Sequence, residues 1–335
     1  MICAPILIAT LNRDVHFIRL IESLKKNTWA KYTPVFVALD YPPAEKYMEG
    51  YKKICKYLEE DDFSVFLEFN VIRREYNYGS IKNMLEMRDA VLKKYDRFIR
   101  TDDDAEFSPN FLEYMNKCLE KYKDNQEIIA VTGYAYPVNW KVSESATILK
   151  ENFICPMWGT GFWRDKYKKV ASFINDNGLL DDAKNIVRTG SYKQMIDSCK
   201  YEFVNLCLST SYDEATLANR FSDVAARMYS AAYNKYIIVP VKSKVRNWGF
   251  DGSGEYCPNI TGKGFTTADY SYSSQPIDSS MSFDIIEDKI NDVKQNRKIM
   301  NNFDSITLKK KMKMNVKLLL YKVLGESLYR KCIVH

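Results

Sequence analysis

The stretch of this chain richest in chemistry is residues 98–115, FIRTDDDAEFSPNFLEYM, where Asp102, Asp103 and Asp104 stand side by side after a short apolar run. Adjacent carboxylates repel one another, and each prefers water. Two readings follow: a solvated turn that leads into a helix, or a site at which a divalent cation neutralises the cluster. Hard cations such as Mg²⁺ and Mn²⁺ take oxygen ligands, and one or two carboxylates plus substrate phosphates make a common Mg²⁺ shell. Other chemistries lack their residues. The histidines are His16 and His335, too few for a zinc site or a Ser-His-Asp triad. No GxGxxG follows the first apolar run and no GxxxxGK[ST] occurs, so a phosphorylated ligand would need a bridging metal in place of a glycine-rich cradle.

The elements that must position the aspartates are legible as an alternation. Apolar runs of strand length lie at 4–10, 34–40, 65–71, 97–101 and 128–134, and amphipathic helix-length segments at 14–27, 44–60, 80–95 and 109–123. Ser108 reads as the N-cap of the last of these, with Pro109 at its first position. Such alternation predicts a mostly parallel sheet with helices on both faces. Ligands of such sheets bind beyond the carboxyl ends of the strands. Polar groups wait there: Asn12-Arg13 after the first run, Asp40 after the second, Asn77 and Gly79 after the third, the aspartates after the fourth. That placement favours the ligand-site reading over the solvated turn. Farther on, MWGTGFWRDKY (157–167) sets Trp158, Phe162 and Trp163 around Gly159 and Gly161, either as core or as a loop whose rings face a sugar. The run IIVPVKSKV (237–245) reads as one more strand, leading into RNWGFDGSG (246–254).

At 335 residues, 46% hydrophobic and 27% charged, the composition is that of a globular protein able to bury a large core. The first residues lack a signal-peptide pattern, no run approaches membrane-spanning length, and eight cysteines form no CxxC pair. The expectation is a reduced, cytoplasmic setting. The net charge of +6 is local. Residues 306–335 hold eight Lys or Arg against one Glu, while the preceding 305 hold 41 basic and 42 acidic residues, which speaks against nucleic acid as a partner of the body.

Taken in order, APILIATLNR, VFVALD, TDDDAEFSPNFLEYM, MWGTGFW, SYDEATLANRF and VRNWGFDGSG resemble the GT-A fold glycosyltransferases, in particular the inverting family 2 enzymes. They also resemble the animal N-acetylglucosaminyltransferase that starts complex N-glycan branches. The resemblance covers roughly residues 1–255. It implies a GT-A (Rossmann-like) α/β domain over 1–270, with 1–140 holding a nucleotide-sugar and 141–270 serving acceptor and catalysis. It implies that Asp104, with Asp102, ligates Mn²⁺ or Mg²⁺, and that Asp102 and Asp103 face the ribose or sugar-phosphate. Thr10, Asn12 and Arg13 would cradle the nucleotide, Asp40 would bond the base, and Asn77, Gly79 and Lys82 would lie along the diphosphate. Arg246 would reach a phosphate, with Gly249, Gly252 and Gly254 permitting closure over it. Trp158, Gly159 and Trp163 would shape the acceptor or sugar pocket. Asp213, with Glu214 as its competitor, would be the general base of a direct displacement at the anomeric carbon; the plain reading of Asp213 is a helix N-cap. Sequences of this kind often supply a late histidine or acidic metal ligand, and no histidine stands there, so the metal shell is expected to be thin. The resemblance further implies a UDP-sugar donor and a glycan or lipid-linked acceptor of bacterial surface polysaccharide, used at the inner face of the membrane. The rival readings are a nucleotidyltransferase and a non-catalytic carbohydrate-binding protein.

Residues 275–335 read as a separate helical extension. SYSSQPIDSSMS is a polar linker, and FDIIEDKINDVKQNRKIMNNF a helix. The last segment sets Lys309, Lys310, Lys311, Lys313 and Lys317 beside Met312, Val316, Leu319, Leu320, Val323 and Leu324. This pattern suits a helix lying on an anionic membrane surface, or one packing back on the body or on a second subunit.

Overall fold

Four strands and three intervening helices build the first hundred residues in the order the alternation predicts. They are β1 (Ile6–Thr10), α1 (Asp14–Lys25), β2 (Pro34–Leu39), α2 (Met48–Glu60), β3 (Glu68–Arg73), α3 (Ser80–Val91) and β4 (Arg97–Asp102). The computed structural model describes residues 2–153, 155–208, 220–254 and 275–333. Asp213 and Glu214 lie outside the described residues. After β4 come β5 (Ala105–Phe107), α4 (Phe111–Lys121), β6 (Ile128–Thr132), β7 (Ile148–Glu151), β8 (Thr160–Trp163) and α5 (Arg164–Asn175). The short helices α6 (Gly178–Asp181) and α7 (Ala183–Thr189) lead to α8 (Asp197–Leu208), α9 (Asp223–Ala232), β9 (Tyr236–Pro240) and β10 (Val245–Asn247). Two further helices follow, α10 (Val293–Phe303) and α11 (Leu308–Ile333).

Eight of the described strands form a sheet ordered β3-β2-β1-β4-β8-β6-β9-β7, and β5 and β10 form a separate pair. β1 to β4 run parallel, β6 and β9 are parallel to each other, and β8 and β7 run antiparallel to their neighbours. The expected mostly parallel α/β sheet is therefore present. Successive residues of a strand face opposite sides, and both sides of β1 are covered. Ile6 and Ile8 pack with Phe17 and Leu20 of α1 and Leu112 and Met115 of α4. Leu7 packs with Met84 and Met87 of α3 and with Phe98 and Phe162. A third apolar cluster lies off the sheet, built from α7, α8, α9 and the last helix.

Several local expectations are corrected. Helix α4 begins at Phe111 with Asn110 at its N-cap position, not at Pro109. Ser108 instead donates its hydroxyl to Asn110 Oδ1, and that same oxygen takes a hydrogen bond from Lys244 Nζ at 3.2 Å. The aromatic TGFW segment is not a ligand-facing loop; it is β8, a buried strand between β4 and β6. The single strand expected over 237–245 is two. β9 stays in the main sheet, and β10 crosses to pair with β5. The polar linker, as far as it is described, is packed down. Asp278 forms an ion pair with the buried Lys244, Phe283 is buried edge-on against Tyr114, and Thr147 N donates to Ile286 O. Only 293–303 of the expected helix is helical, capped by Asp292, whose side chain accepts from Gln295 N.

Candidate functional site

The strand order reverses between β1 and β4. The loops leaving their carboxyl ends therefore diverge and open a crevice, the usual ligand position of such sheets. The register sets Ala9 opposite Asp102 and Thr10 opposite Leu39, so the ends of β1, β2 and β4 lie level. Across the crevice Thr10 Oγ1 donates to Asp103 Oδ2 at 2.9 Å. Arg13 spans two of the three aspartates, donating through Nη1 to Asp104 Oδ2 at 2.9 Å and through Nη2 to Asp103 Oδ1. The structure thus brings Thr10, Arg13, Asp103 and Asp104 together. Asp102 stands beside them with its carboxylate 3.7 Å from Arg100, half-buried.

The triplet is not a solvated turn. Asp103 and Asp104 are buried, and Asp104 Oδ1 is buried without a hydrogen-bond partner. Burial pushes the Asp104 carboxyl up to about 7; the guanidinium of Arg13 opposes this, and the charges of Asp102 and Asp103 add to it. An unpaired buried carboxylate oxygen is costly, and a hard cation is the partner that suits it. No three His, Cys, Asp or Glu side chains converge as a ligand group among the described residues. Asp104 Oδ1 is the acceptor left open, and Asp102 is the neighbouring carboxylate that could join it in holding a cation.

The segment 246–249 closes against this cluster. Trp248 N donates to Asp104 O at 2.8 Å, and Gly249 N donates to Asn247 Oδ1 at 2.6 Å. A Cβ at Gly249 would overlap the Asp104 carboxylate, so this glycine is required by close approach. Beside it opens a cavity of about 600 Å³ lined by Asn12, Arg13, His16, Arg19, Trp248 and Asp251. His16 Nε2 lies 3.1 Å from Asp251, and the Arg19 guanidinium 4.4 Å from the centre of the Trp248 ring.

Other expected residues take different roles. Both oxygens of Asp40 are filled by the chain itself: Oδ1 accepts from Tyr41 N and Tyr78 N, Oδ2 from Gly79 N and Asn77 Nδ2. A carboxylate offers about four acceptor positions, so Asp40 staples the loops after β2 and β3 and has none left for a base. Gly79, at φ 75°, stands at the N-cap of α3, where the left-handed backbone suits glycine. Lys82 is exposed and lies 4.3 Å from the centre of the Tyr78 ring. Arg246 donates to Gln275 O and pairs with Glu106 at 3.3 Å, so its guanidinium ties β10 to β5 and to residue 275.

Trp163 is removed from the pocket. It is 4% exposed, its indole N–H donates to Leu119 O, and Lys166 lies 3.7 Å over its ring. It pairs with Arg97 at the amino end of β4, whereas Thr160 pairs with Arg100 near the carboxyl end. Three residues of strand place it about 10 Å from the crevice end. Gly159 and Trp158 do stand at that end. Gly159 has φ 62°, its carbonyl accepts from Gly133 N, and a Cβ there would strike Phe107 and Phe111. Trp158 packs edge-on against Tyr134 and Phe250.

Sequence reasoning missed the pair Glu106–Arg246, the ring pairs Tyr41–Tyr51 and Tyr76–Tyr78, and Lys244. Glu106 and Arg246 carry a faint signal, opposite charges on two short apolar runs. Lys244 carries none, because its ion pair with Asp278 is made by the tertiary structure alone.

No family model and no curated protein sequence matches the chain. Among solved structures it is similar to TarS of S. aureus (15% identity, TM-score 0.33, over 50% of this chain and 30% of that one). It is also similar to the mannosyltransferase PcManGT of Pyrobaculum calidifontis in complex with GDP-Man and Mn²⁺ (13% identity, TM-score 0.35, over 50% and 46%). A third is TarS residues 1–349 in complex with UDP-GlcNAc (16% identity, TM-score 0.28, over 39% and 34%). In each case the chain spans less than half of the length of the structure it matches.

Proposed function

We propose that the chain is a metal-dependent glycosyltransferase of GT-A type that moves a sugar from a nucleotide-diphospho-sugar, a UDP-sugar first among them, to a glycan or lipid-linked acceptor. The single observation that carries this reading is the buried carboxylate Asp104, one oxygen unpaired, held by Arg13 at the point where the strand order reverses. Buried carboxylates with an incomplete shell, placed where an α/β sheet receives a nucleotide, suit a metal shared with a diphosphate. A Mn²⁺ or Mg²⁺ ion, when bound, supplies Lewis-acid stabilisation of the leaving diphosphate.

The chain's own groups do the rest. Thr10 and Arg13 fix the orientation of Asp103 and Asp104. Gly249 and the Trp248 amide wall off the cluster and exclude water from it. Asn12 and Arg13 face the adjoining cavity, where they would contact the nucleotide. Trp158 and Gly159 would border the sugar. Asp213, or its neighbour Glu214, would take the proton from the acceptor hydroxyl as it attacks the anomeric carbon, giving inversion. A bacterial surface polysaccharide is the acceptor class that fits the resemblance of the sequence.

The test is thermal unfolding with UDP, GDP and ADP, each with and without Mn²⁺. A ligand that binds the native state alone at a hundredfold excess over its Kd stabilises by about 2.7 kcal/mol. Stabilisation by one nucleotide only with metal, abolished in Asp104→Asn, is expected. No shift with any nucleotide in either condition would overturn the reading. Release of free sugar from the matching donor, lost in Asp213→Asn, then assigns the base.

A further inference from the structure

Helix α11 has two apolar faces, and among the described residues only one of them is packed. Met314, Leu318 and Tyr321 are buried against α8 and its neighbours. Leu308, Met312, Val316, Leu319 and Val323 are 74, 60, 53, 61 and 72% exposed. Their spacing of four, four, three and four residues keeps all five within one stripe of an α-helix, on the side turned away from the packed face. At 1.5 Å per residue the stripe is about 23 Å long. The helix breaks beyond it at Gly325, whose φ of 70° and ψ of 166° are not helical.

The charges beside the stripe choose its occupant. By helical position Lys309 and Lys313 border one edge and Lys322 the other. Among the described residues these three have no ion-pair partner, while Lys311 is paired with Asp197 and Lys317 donates to Asn205. Residues 306–325 contain no Asp or Glu. A second copy docked on the stripe through a two-fold contact would set these lysines against their own counterparts, with no carboxylate on the helix to offset them. An anionic lipid surface offers both partners at once, acyl chains for the stripe and headgroup charge for the lysines. No helix of the described residues is long and apolar enough to cross a membrane, so the contact is interfacial.

We infer that α11 docks this protein on an anionic membrane surface through Leu308, Met312, Val316, Leu319 and Val323, with Lys309, Lys313 and Lys322 at the headgroups. The packed face fixes the attitude of the body. The docking itself is independent of the transferase reading.

The experiment is co-sedimentation of the full chain with vesicles of phosphatidylcholine alone and of phosphatidylcholine with phosphatidylglycerol, at low and high salt. The wild type is expected to bind only the anionic vesicles, and less at high salt. The double variant Leu319→Glu/Val323→Glu is expected to lose at least tenfold in binding. Each of Lys309→Gln, Lys313→Gln and Lys322→Gln is expected to lose about fivefold. These positions are exposed, so unfolding temperatures should match wild type and separate docking from folding. Equal binding to both vesicle types, no binding to either, or an unchanged double variant would overturn the inference. So would sedimentation velocity showing a dimer that the double variant abolishes while vesicle binding stays the same.

Discussion

Asp104 is where charge, burial and chemistry meet. Its carboxyl is pushed up to about 7, chiefly by burial. A carboxyl with a raised native pKa favours the protonated native state, so its charge opposes folding as pH rises from the unfolded value near 4 to about 7. Metal binding needs the carboxylate and has the opposite sense. Metal-dependent nucleotide affinity is therefore expected to fall about tenfold per pH unit below pH 7 and to level off above it. Titration calorimetry between pH 5.5 and 8.5 checks this, and Asp104→Asn should flatten the profile while leaving the ligand-free unfolding temperature near wild type. Gly249 tests the same place by shape. Ala at this position forces Gly249 and the Asp104 carboxylate apart, with an expected loss of about 1–3 kcal/mol in stability by denaturant titration. The loss of nucleotide binding should be larger than that stability change accounts for.

At the scale of elements, the antiparallel insert β8 and the pair β5–β10 turn a parallel sheet into a walled crevice. β5 and β10 bring Glu106, Arg246 and Trp248 together. The strand after the aspartates is thereby tied to the segment that covers them. The stretch at 275–290 fastens this arrangement from outside. Its anchor is Asp278 on the almost fully buried Lys244. Removing one partner of a buried pair leaves an uncompensated charge, so Asp278→Ala is expected to cost about 3–5 kcal/mol by chemical denaturation. Burial works against the Asp278 charge, but the bond from Lys244, with those from Asn110 and Ser280, holds its carboxyl far below the usual range. A depressed native pKa contributes stability above the unfolded value near 4, and that stability is lost as pH falls toward the native value. Wild type and Asp278→Asn should therefore differ in unfolding temperature at pH 6 and converge as the pH is lowered through 4 toward 2.

The whole molecule adds to the sheet a helical cluster that α11 completes. Two adjacent leucines separate its two faces. Leu318 is 7% exposed and Leu319 is 61% exposed. Leu318→Ala is expected to destabilise by about 2–5 kcal/mol. Leu319→Ala is expected to change stability by no more than about 0.5 kcal/mol. Urea titration of the two variants measures this contrast, and equal losses would mean that the outward face is covered.

The long strands and helices of the first 130 residues were legible because each carries its own periodicity, the three-residue β5 being too short to show one, and the strand ends showed where polar groups would gather. The same periodicity marked the last helix as amphipathic. Tertiary structure decided the rest, because local pattern is silent about partners. The aromatic stretch around Gly159 and Gly161 reads equally as core or as a loop, and only the structure decides: Gly161 lets β8 lie against Met115 and Leu119 within the sheet, while Gly159, just before the strand, lies against Phe107 and Phe111. Asp40 reads as a ligand-binding carboxylate, yet four donors of its own chain converge on it from two loops far apart in sequence. The polar stretch at 275–282 reads as a linker, yet the buried charge of Lys244 draws Asp278 onto the body. Spacing along α11 reads as one apolar stripe beside lysines, and only packing decided that Leu320 and Leu324 turn toward the helical cluster while Met312, Val316, Leu319 and Val323 stay in water. Types and spacing determine what each segment is able to form, since backbone period and side-chain chemistry are local. Which charges are paired and which faces are covered depends on residues brought together from tens to more than a hundred positions apart.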